Sequence, residues 1–487
     1  MKRRHLLTAL GVPLLSACAG LPPAVPPRSP SPDLPASYPS SAAVAAAGAA
    51  PVDTIGWRAF FQDEALHRLI DTALARNRDL RLSALAIEQA RAQMQLREAD
   101  LLPAVGAGLS GSRNPNGAGG FNSLYLGGLQ MSAWELDLFG RLRSLSAAAA
   151  AQFEATEAQR QAARIALVAA VAQAWLNLQA DESLLELTRL TLRSREESLR
   201  LAQTRQRLGA ASMLELQAAQ SLFEAARASL AQLQRQRAQD ENALSLLLGV
   251  PFASTGLSPP PLGELIAFPE LAAGLPSELL ARRPDLRAAE RQLVASEAGI
   301  EAARAAFFPR ITLTASAGSA TRSLTSLFSG GTFAAGLAGQ LFAPIFDGGR
   351  NQAVLQSATL TREQAVAQYE RAVQQAFREV ADALVARSSL LAQAEAQQAL
   401  VRAESARAEL AEIRHRNGAA SYLEVLDAQR SLYAARQALT VVRGQLAQSL
   451  VGLYKALGGG WQGGEAASLT DTADRSPADP PGRSASR

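Results

Sequence analysis

Hydrophobic and polar positions follow two rhythms along this chain, one suited to helices and one to strands. From Arg141 to Leu208 no proline or glycine interrupts a run dominated by alanine, leucine, glutamine, glutamate and arginine, all strong helix formers. Leu178, Leu185, Leu192 and Leu199 recur there every seven residues, the spacing that keeps an apolar seam against a partner helix. The run predicts a single helix of nearly 70 residues, roughly 100 Å long at the usual rise per residue. Val373, Phe377, Val380 and Leu384 alternate by four and three in the second half, followed by Leu391. Alanine between these markers permits close helix approach.

The strand rhythm has a period of two. In "PRITLTASAG", starting at Pro309, Ile311, Leu313, Ala315 and Ala317 alternate with Arg310, Thr312, Thr314, Ser316 and Gly318. About ten residues of such alternation match a tilted membrane-spanning strand. "TFAAGLAGQLF" repeats the pattern, with Phe333, Ala335, Leu337 and Leu341 on one side and Gln340 on the other. The first half offers Val105, Ala107 and Leu109, then Tyr125, Leu129, Met131 and Ala133, with glycine at many intervening positions. A soluble coiled-coil rod with surface hairpins satisfies the same periodicities.

These elements occur twice. "ARNRDLR" at 75–81 answers "ARRPDLR" at 281–287, and Pro103 answers Pro309, both at an offset of 206. Gly140-Arg141 answers Gly349-Arg350, "RLGAAS" at 207–212 answers "RNGAAS" at 416–421, and Leu248-Gly249 answers Leu457-Gly458, all at 209. One insertion of three residues reconciles the two offsets, which identifies an internal duplication. Each half reads as helix, two short strands, very long helix, turn, long helix. The first repeat spans 51–249, with a hairpin at 103–135; an equatorial linker covers 250–280; the second repeat spans 281–458, with a hairpin at 309–343.

Four strands cannot close a barrel. An open edge in hydrocarbon leaves backbone groups unpaired at several kcal/mol each. Membrane strands in this chain therefore require copies of it, eight strands from a dimer or twelve from a trimer. The residues alone do not choose between these.

The ends set the compartment. Lys2, Arg3 and Arg4 precede an apolar run from Leu6 to Leu15, shorter than the roughly 20 residues a spanning helix needs. Residues 1–17 read as an export signal, and Leu15-Ser16-Ala17-Cys18 matches the bacterial lipobox, with Cys18 the acylated residue. It is the one cysteine, so structural disulfides are excluded. Ala19 follows it, which in Gram-negative lipoproteins favours sorting to the outer membrane. Eight prolines between residues 21 and 40 make 18–50 an extended tether, and 459–487 reads as an unstructured tail. The formal net charge of +4 and the lack of a basic block argue against nucleic acid.

"WELDLFGRLRS" from Trp134, "PIFDGGRN" from Pro344 and "RNGAASYLEVLDAQRSLY" from Arg416, with the doubled plan and the lipobox, resemble the outer-membrane factors of tripartite efflux systems. The chain is most similar to the lipoprotein, NodT-type branch related to TolC, over roughly residues 55–458. The resemblance implies a mainly α fold with membrane β: a homotrimer with a twelve-stranded outer-membrane β-barrel on a periplasmic α-helical barrel. Residues 51–75, 249–280 and 458–470 are candidates for its equatorial collar. It also implies a passive duct that docks onto a periplasmic adaptor protein and an inner-membrane pump of the RND type, in contact with outer-membrane lipids.

Gly209 and Gly418 sit where long helices must reverse, and Ser212 and Ser421 can cap the helices that follow. In the resembling family these turns form the periplasmic tip. That makes Arg207, Gly209, Ala210, Ala211, Ser212, Arg416, Gly418, Ala419, Ala420 and Ser421 the candidate adaptor contacts. The helix after the second turn lines the narrow end of the tunnel in that family, so Leu423, Glu424 and Asp427 are the candidate gate. Carboxylates gathered from three copies repel one another and attract cations. The first turn has Ala218 where the second has Asp427. Ala343 and His415 depart from the family's usual aromatic and tyrosine.

Enzyme readings fail by inventory. Histidine occurs only as His5, His67 and His415, no metal-ligand cluster or phosphate-binding lysine motif is present, and no cofactor is expected beyond the lipid on Cys18. Two alternatives remain beside the efflux duct: an exit duct for type I secretion, and a lipid-anchored periplasmic scaffold without a pore.

Overall fold

The computed structural model describes residues 55–116, 119–263, 279–327, 329 and 331–460, with Pro35 and Tyr38. The export signal, Cys18, almost all of the tether and the tail beyond Gly460 lie outside the described residues, as do 51–54, 264–278 and 461–470 of the collar candidates. No helix among the described residues is long and apolar enough to cross a membrane.

The first half contains α1 (Trp57–Phe60), α2 (Glu64–Arg76), α3 (Arg78–Ala99), β1 (Val105–Pro115), β2 (Phe121–Leu136), α4 (Arg141–Arg207) and α5 (Met213–Leu248). The second contains α6 (Leu279–Arg282), α7 (Pro284–Ala305), β3 (Arg310–Thr321), β4 (Phe333–Phe342), α8 (Arg350–Arg416) and α9 (Tyr422–Ala456). The duplication extends to individual bonds. α3 and α7 are each 22 residues long, and α4 and α8 each 67. Asn77 Nδ2 donates to Leu247 O at 2.9 Å, and at the equivalent positions Arg283 Nη1 donates to Ala456 O at 3.1 Å. Each bond ties the start of a short helix to the end of a hairpin. Arg283 also binds Asp285 and Glu379, at 2.7 and 2.8 Å. Burial pulls its guanidinium down, but these two carboxylates prevail and hold it above its ordinary value.

Gly140 and Gly349 precede the two long helices with φ of 80° and 86°, a left-handed conformation that glycine adopts without steric cost. Asp63 caps α2 by accepting from the amides of Ala65 and Leu66, and its other oxygen accepts from Trp175 Nε1 at 2.7 Å. One side chain thus starts a helix and fixes it to the middle of α4.

The main core lies midway along the long helices. Trp175, Val171 and Leu178 of α4 meet Val373, Val380 and Leu384 of α8 and Val451 and Tyr454 of α9, around Phe60, Phe61, Leu69 and Ile70. Tyr454 stacks on Phe60 at 4.2 Å and donates to Ile55 O at 2.9 Å. The collar candidates that are described, 55–75, 249–263 and 458–460, surround this region through Leu66, Phe252 and Ile55. Within the heptad seam Leu178, Leu185 and Leu199 are buried and Leu192 half-buried. In the second half the seam stops sooner than its spacing predicts: Leu391 is 41% exposed.

The four strands form one antiparallel sheet in the order β1-β2-β3-β4, so β2 and β3 join the repeats and β1 and β4 are its edges. Their register gathers the predicted apolar sets on one face: Val105 opposite Met131, Met131 opposite Ala315, Ala315 opposite Leu337. Gly106, Gln130, Ser316 and Gly336 line up on the other face. Ala133 departs from the predicted alternation. The register slips between Met131 and Trp134, and Ala133 takes φ of 49°, which identifies a β-bulge. The bulge moves Trp134 and Leu136 onto the apolar face, opposite Leu313 and Ile311. Trp134 is half-buried there and donates from Nε1 to Leu101 O at 3.2 Å, anchoring the strand to the end of α3.

Gly249 and Gly209 both have φ of 70°, but a Cβ at Gly249 would lie 2.9 Å from the Arg76 carbonyl carbon, whereas at Gly209 it meets open space. Gly209→Ala should therefore cost about 1 kcal/mol, and Gly249→Ala about 3 kcal/mol. Thermal denaturation of the two variants checks this ordering, and equal costs would contradict it.

Candidate functional site at the paired helical tips

Both turns close in the same way. At the first, Ala210 N donates to Arg205 O at 2.7 Å and Gly209 N to Gln206 O at 3.0 Å; at the second, Ala419 N donates to Arg414 O at 2.8 Å and Gly418 N to His415 O at 3.0 Å. Paired bonds of this kind, with glycine at a φ of 70° in both cases, satisfy carbonyls left over at a helix C-terminus. Ser212 Oγ then accepts from Glu215 N at 3.2 Å and Ser421 Oγ from Glu424 N at 3.3 Å, starting α5 and α9. Each "AAS" therefore has one exposed alanine, Ala210 or Ala419, and one half-buried, Ala211 or Ala420. Arg207 and Arg416 are exposed at the ends of the long helices, and Arg207 Nη2 donates to Thr204 Oγ1 at 3.3 Å.

The structure brings the two tips together. Leu426 of α9 is buried against Leu199, Ala202 and Ala219 of the first hairpin. His415 bridges them: Arg205 Nη1 lies 3.3 Å from its Nε2, and its Nδ1 lies 3.0 Å from Ala420 O. A guanidinium only donates and a carbonyl only accepts, so these contacts place the imidazole hydrogen on Nδ1. The His415 ring also lies 5.3 Å from that of Tyr422.

The acidic positions of the second tip are paired within the chain. Asp427 accepts from Arg407 Nη2 at 2.7 Å and Arg430 Nη2 at 2.6 Å, and Glu424 accepts from Arg414 Nη1 at 2.8 Å. Hydrogen bonds from Arg407 to Asp427 and then Glu404 push its guanidinium above its ordinary value. Leu423 is half-buried beside these groups, while Val425 and Leu426 are fully buried. The Asp427 side chain remains 42% exposed. Solvent screens exposed pairs of this kind and side-chain entropy opposes them, so they hold a conformation without locking it.

The arginines were missed by sequence reasoning, although a signal exists. Arms of a hairpin pair antiparallel about their turn, so residues equally distant from Asn417 face each other; Arg407 and Asp427 are each ten residues away. Also missed were Leu208, Met213 and Leu214, exposed by 78, 58 and 67% at the first tip. The second tip has Asn417, Tyr422 and Leu423 at those positions, so the first presents the more apolar surface.

A family model described as outer membrane efflux protein matches residues 69–250 and 275–459, one stretch for each repeat. The chain is 43% identical over 472 residues to a probable efflux pump outer membrane protein, TtgC of Pseudomonas putida, covering 95% of this chain and 96% of the relative. It is 44% identical over 432 residues to outer membrane protein OprJ of Pseudomonas aeruginosa, covering 87% and 90%. Among solved structures it is similar to the open state of the MtrE outer membrane channel of Neisseria gonorrhoeae, with a TM-score of 0.81, 37% identity and coverage of 89% and 97%.

Ser212→Ala and Ser421→Ala should each destabilise the helix they start by about 1 kcal/mol. Hydrogen exchange at the amides of Glu215 and Glu424 would report it as faster opening confined to the altered tip, and unchanged exchange would refute the caps.

Proposed function

The chain belongs to the outer membrane efflux protein family, and from that premise we propose how its two repeats build a duct. The protein is an efflux channel of the Gram-negative outer membrane, through which cargo leaves the cell. We assign three copies to the channel. Their twelve strands close a barrel, β1 of one copy pairing with β4 of the next, and their hairpins continue it as a helical tube through the periplasm. The observation that carries this reading is the sheet register: one face apolar across Val105, Met131, Ala315 and Leu337, the opposite face small or polar across Gly106, Gln130, Ser316 and Gly336, and both edges open among the described residues. Cys18 carries the acyl anchor in this proposal.

The tips define the partner. Small side chains at Ala210 and Ala419, both exposed beside glycine turns, allow an adaptor's helical hairpin to approach closely, and Leu208, Met213 and Leu214 supply apolar contact. An inner-membrane pump behind the adaptor provides the driving force, and the channel itself is passive. Leu423, Glu424 and Asp427 form the narrow end of each subunit's path, with Arg407, Arg414 and Arg430 holding the acids while it is shut. Breaking weak exposed pairs lets α9 move outward, so adaptor binding can open the channel with little opposing energy.

Purified protein in planar bilayers should conduct ions, and Asp427→Ala should raise conductance or abolish its sensitivity to cations; an unaltered trace removes the gate assignment. Gly418→Trp should abolish efflux in cells while leaving oligomers in the membrane. Full efflux by that variant would refute adaptor contact at the tip. A scaffold without a pore would give no conductance at all.

A further inference from the structure

Asp181 on α4 and Asp240 on α5 meet inside the first hairpin, well away from its tip. Asp181 is 7% exposed and its Oδ2 has no hydrogen-bond partner, while the carboxyl group of Asp240 lies within reach of a hydrogen bond to its side chain. Two carboxyl groups can share such a bond only if one of them carries a proton. The neighbouring cations are occupied elsewhere. Arg237 donates to Glu182 at 3.0 Å and Glu241 at 3.1 Å, and Arg189 donates to Glu182 at 3.2 Å. Asp240 accepts from the neutral Gln236 amide, at 3.0 Å. Four carboxyls therefore face two guanidinium groups. Among the other packed elements, α9 places Gly444, next to the half-buried Arg443, against Ala180, the segment after α5 donates Leu262 N to Ser183 Oγ, and Asp63 of α2 is held by Trp175. The second hairpin has Leu390 and Ser449 at the equivalent positions, so the pair is peculiar to the first.

We propose that Asp181 and Asp240 form a proton-operated clasp: one shared proton holds α4 to α5, and its loss sets a buried carboxylate against a half-buried one and loosens the first hairpin.

Burial, followed by the hydrogen bond and charge of Asp240, pushes Asp181 up to about 7, against an opposing pull from Arg237. The native hairpin keeps a proton that the unfolded chain releases above the ordinary carboxylate range. Hairpin stability must then fall as pH rises from that range to about 7, roughly tenfold in the folded-to-open ratio per pH unit, and level off above it. Weakening is complete in alkaline medium.

Infrared difference titration of the detergent-solubilised full-length protein tests the proton directly. The wild type should show a protonated-carboxyl band that fades near neutral pH, and Asp181→Asn, neutral at every pH, should lack it. Hydrogen exchange along 236–244, corrected for the intrinsic pH dependence, should accelerate at least tenfold between mildly acidic and alkaline conditions in the wild type and stay flat in Asp181→Asn. Absence of a titrating band from the wild type, or its persistence in Asp181→Asn, would overturn the proton assignment. Acceleration that survives in Asp181→Asn would overturn the clasp.

Discussion

The rest of the structure depends on the two unpaired sheet edges. β1 and β4 each present a row of backbone donors and acceptors with no strand partner among the described residues, and hydrocarbon supplies none, at several kcal/mol for each group left bare. The apolar face built from Val105, Met131, Ala315 and Leu337 commits the sheet to that environment. Closure by copies then follows as a requirement of hydrogen bonding. It also fixes what lies below, because each copy that adds four strands adds two helical hairpins.

Stability and function occupy different parts of those hairpins. Their middle holds the large apolar side chains, with Trp175, Tyr454 and Phe60 fully buried and Asp63 linking a helix cap to the core. Their ends are held by helix caps and by exposed, solvent-screened ion pairs. A rigid middle with lightly held ends suits the gate proposed at the tips, which would move while the wall stays sealed. The buried carboxyl of Asp181, beside the half-buried Asp240, interrupts this division, since it sets a polar group between two arms near the firm part.

Much of the fold was legible because duplication and periodicity act locally. The helix from Arg141 and the tip glycines follow from composition and from the left-handed turn that glycine permits, and the strand faces follow from a period of two. What was not legible arose from contacts distant in sequence. The bulge at Ala133 depends on how β2 pairs with β3, 181 residues away at the Ala133 to Thr314 hydrogen bond. Leu391 continues a helical spacing but is left 41% exposed. Asp427 stands out in the sequence as an acid that the first tip lacks, whereas its pairing with Arg407 required the hairpin to be folded first. Asp181 gave no sign in the sequence, since one aspartate in a long polar helix becomes unusual only when another helix buries it.

The most direct measurement is disulfide crosslinking between the open edges. Single cysteines placed along the middle of β1, around Leu109, would be combined with cysteines along the middle of β4, around Leu337, in a Cys18→Ser background, and oxidised in membranes. A ladder of covalent species ending at three subunits is the expected result. Monomers throughout, or a ladder ending at two or continuing past three, would contradict a barrel sealed by three copies.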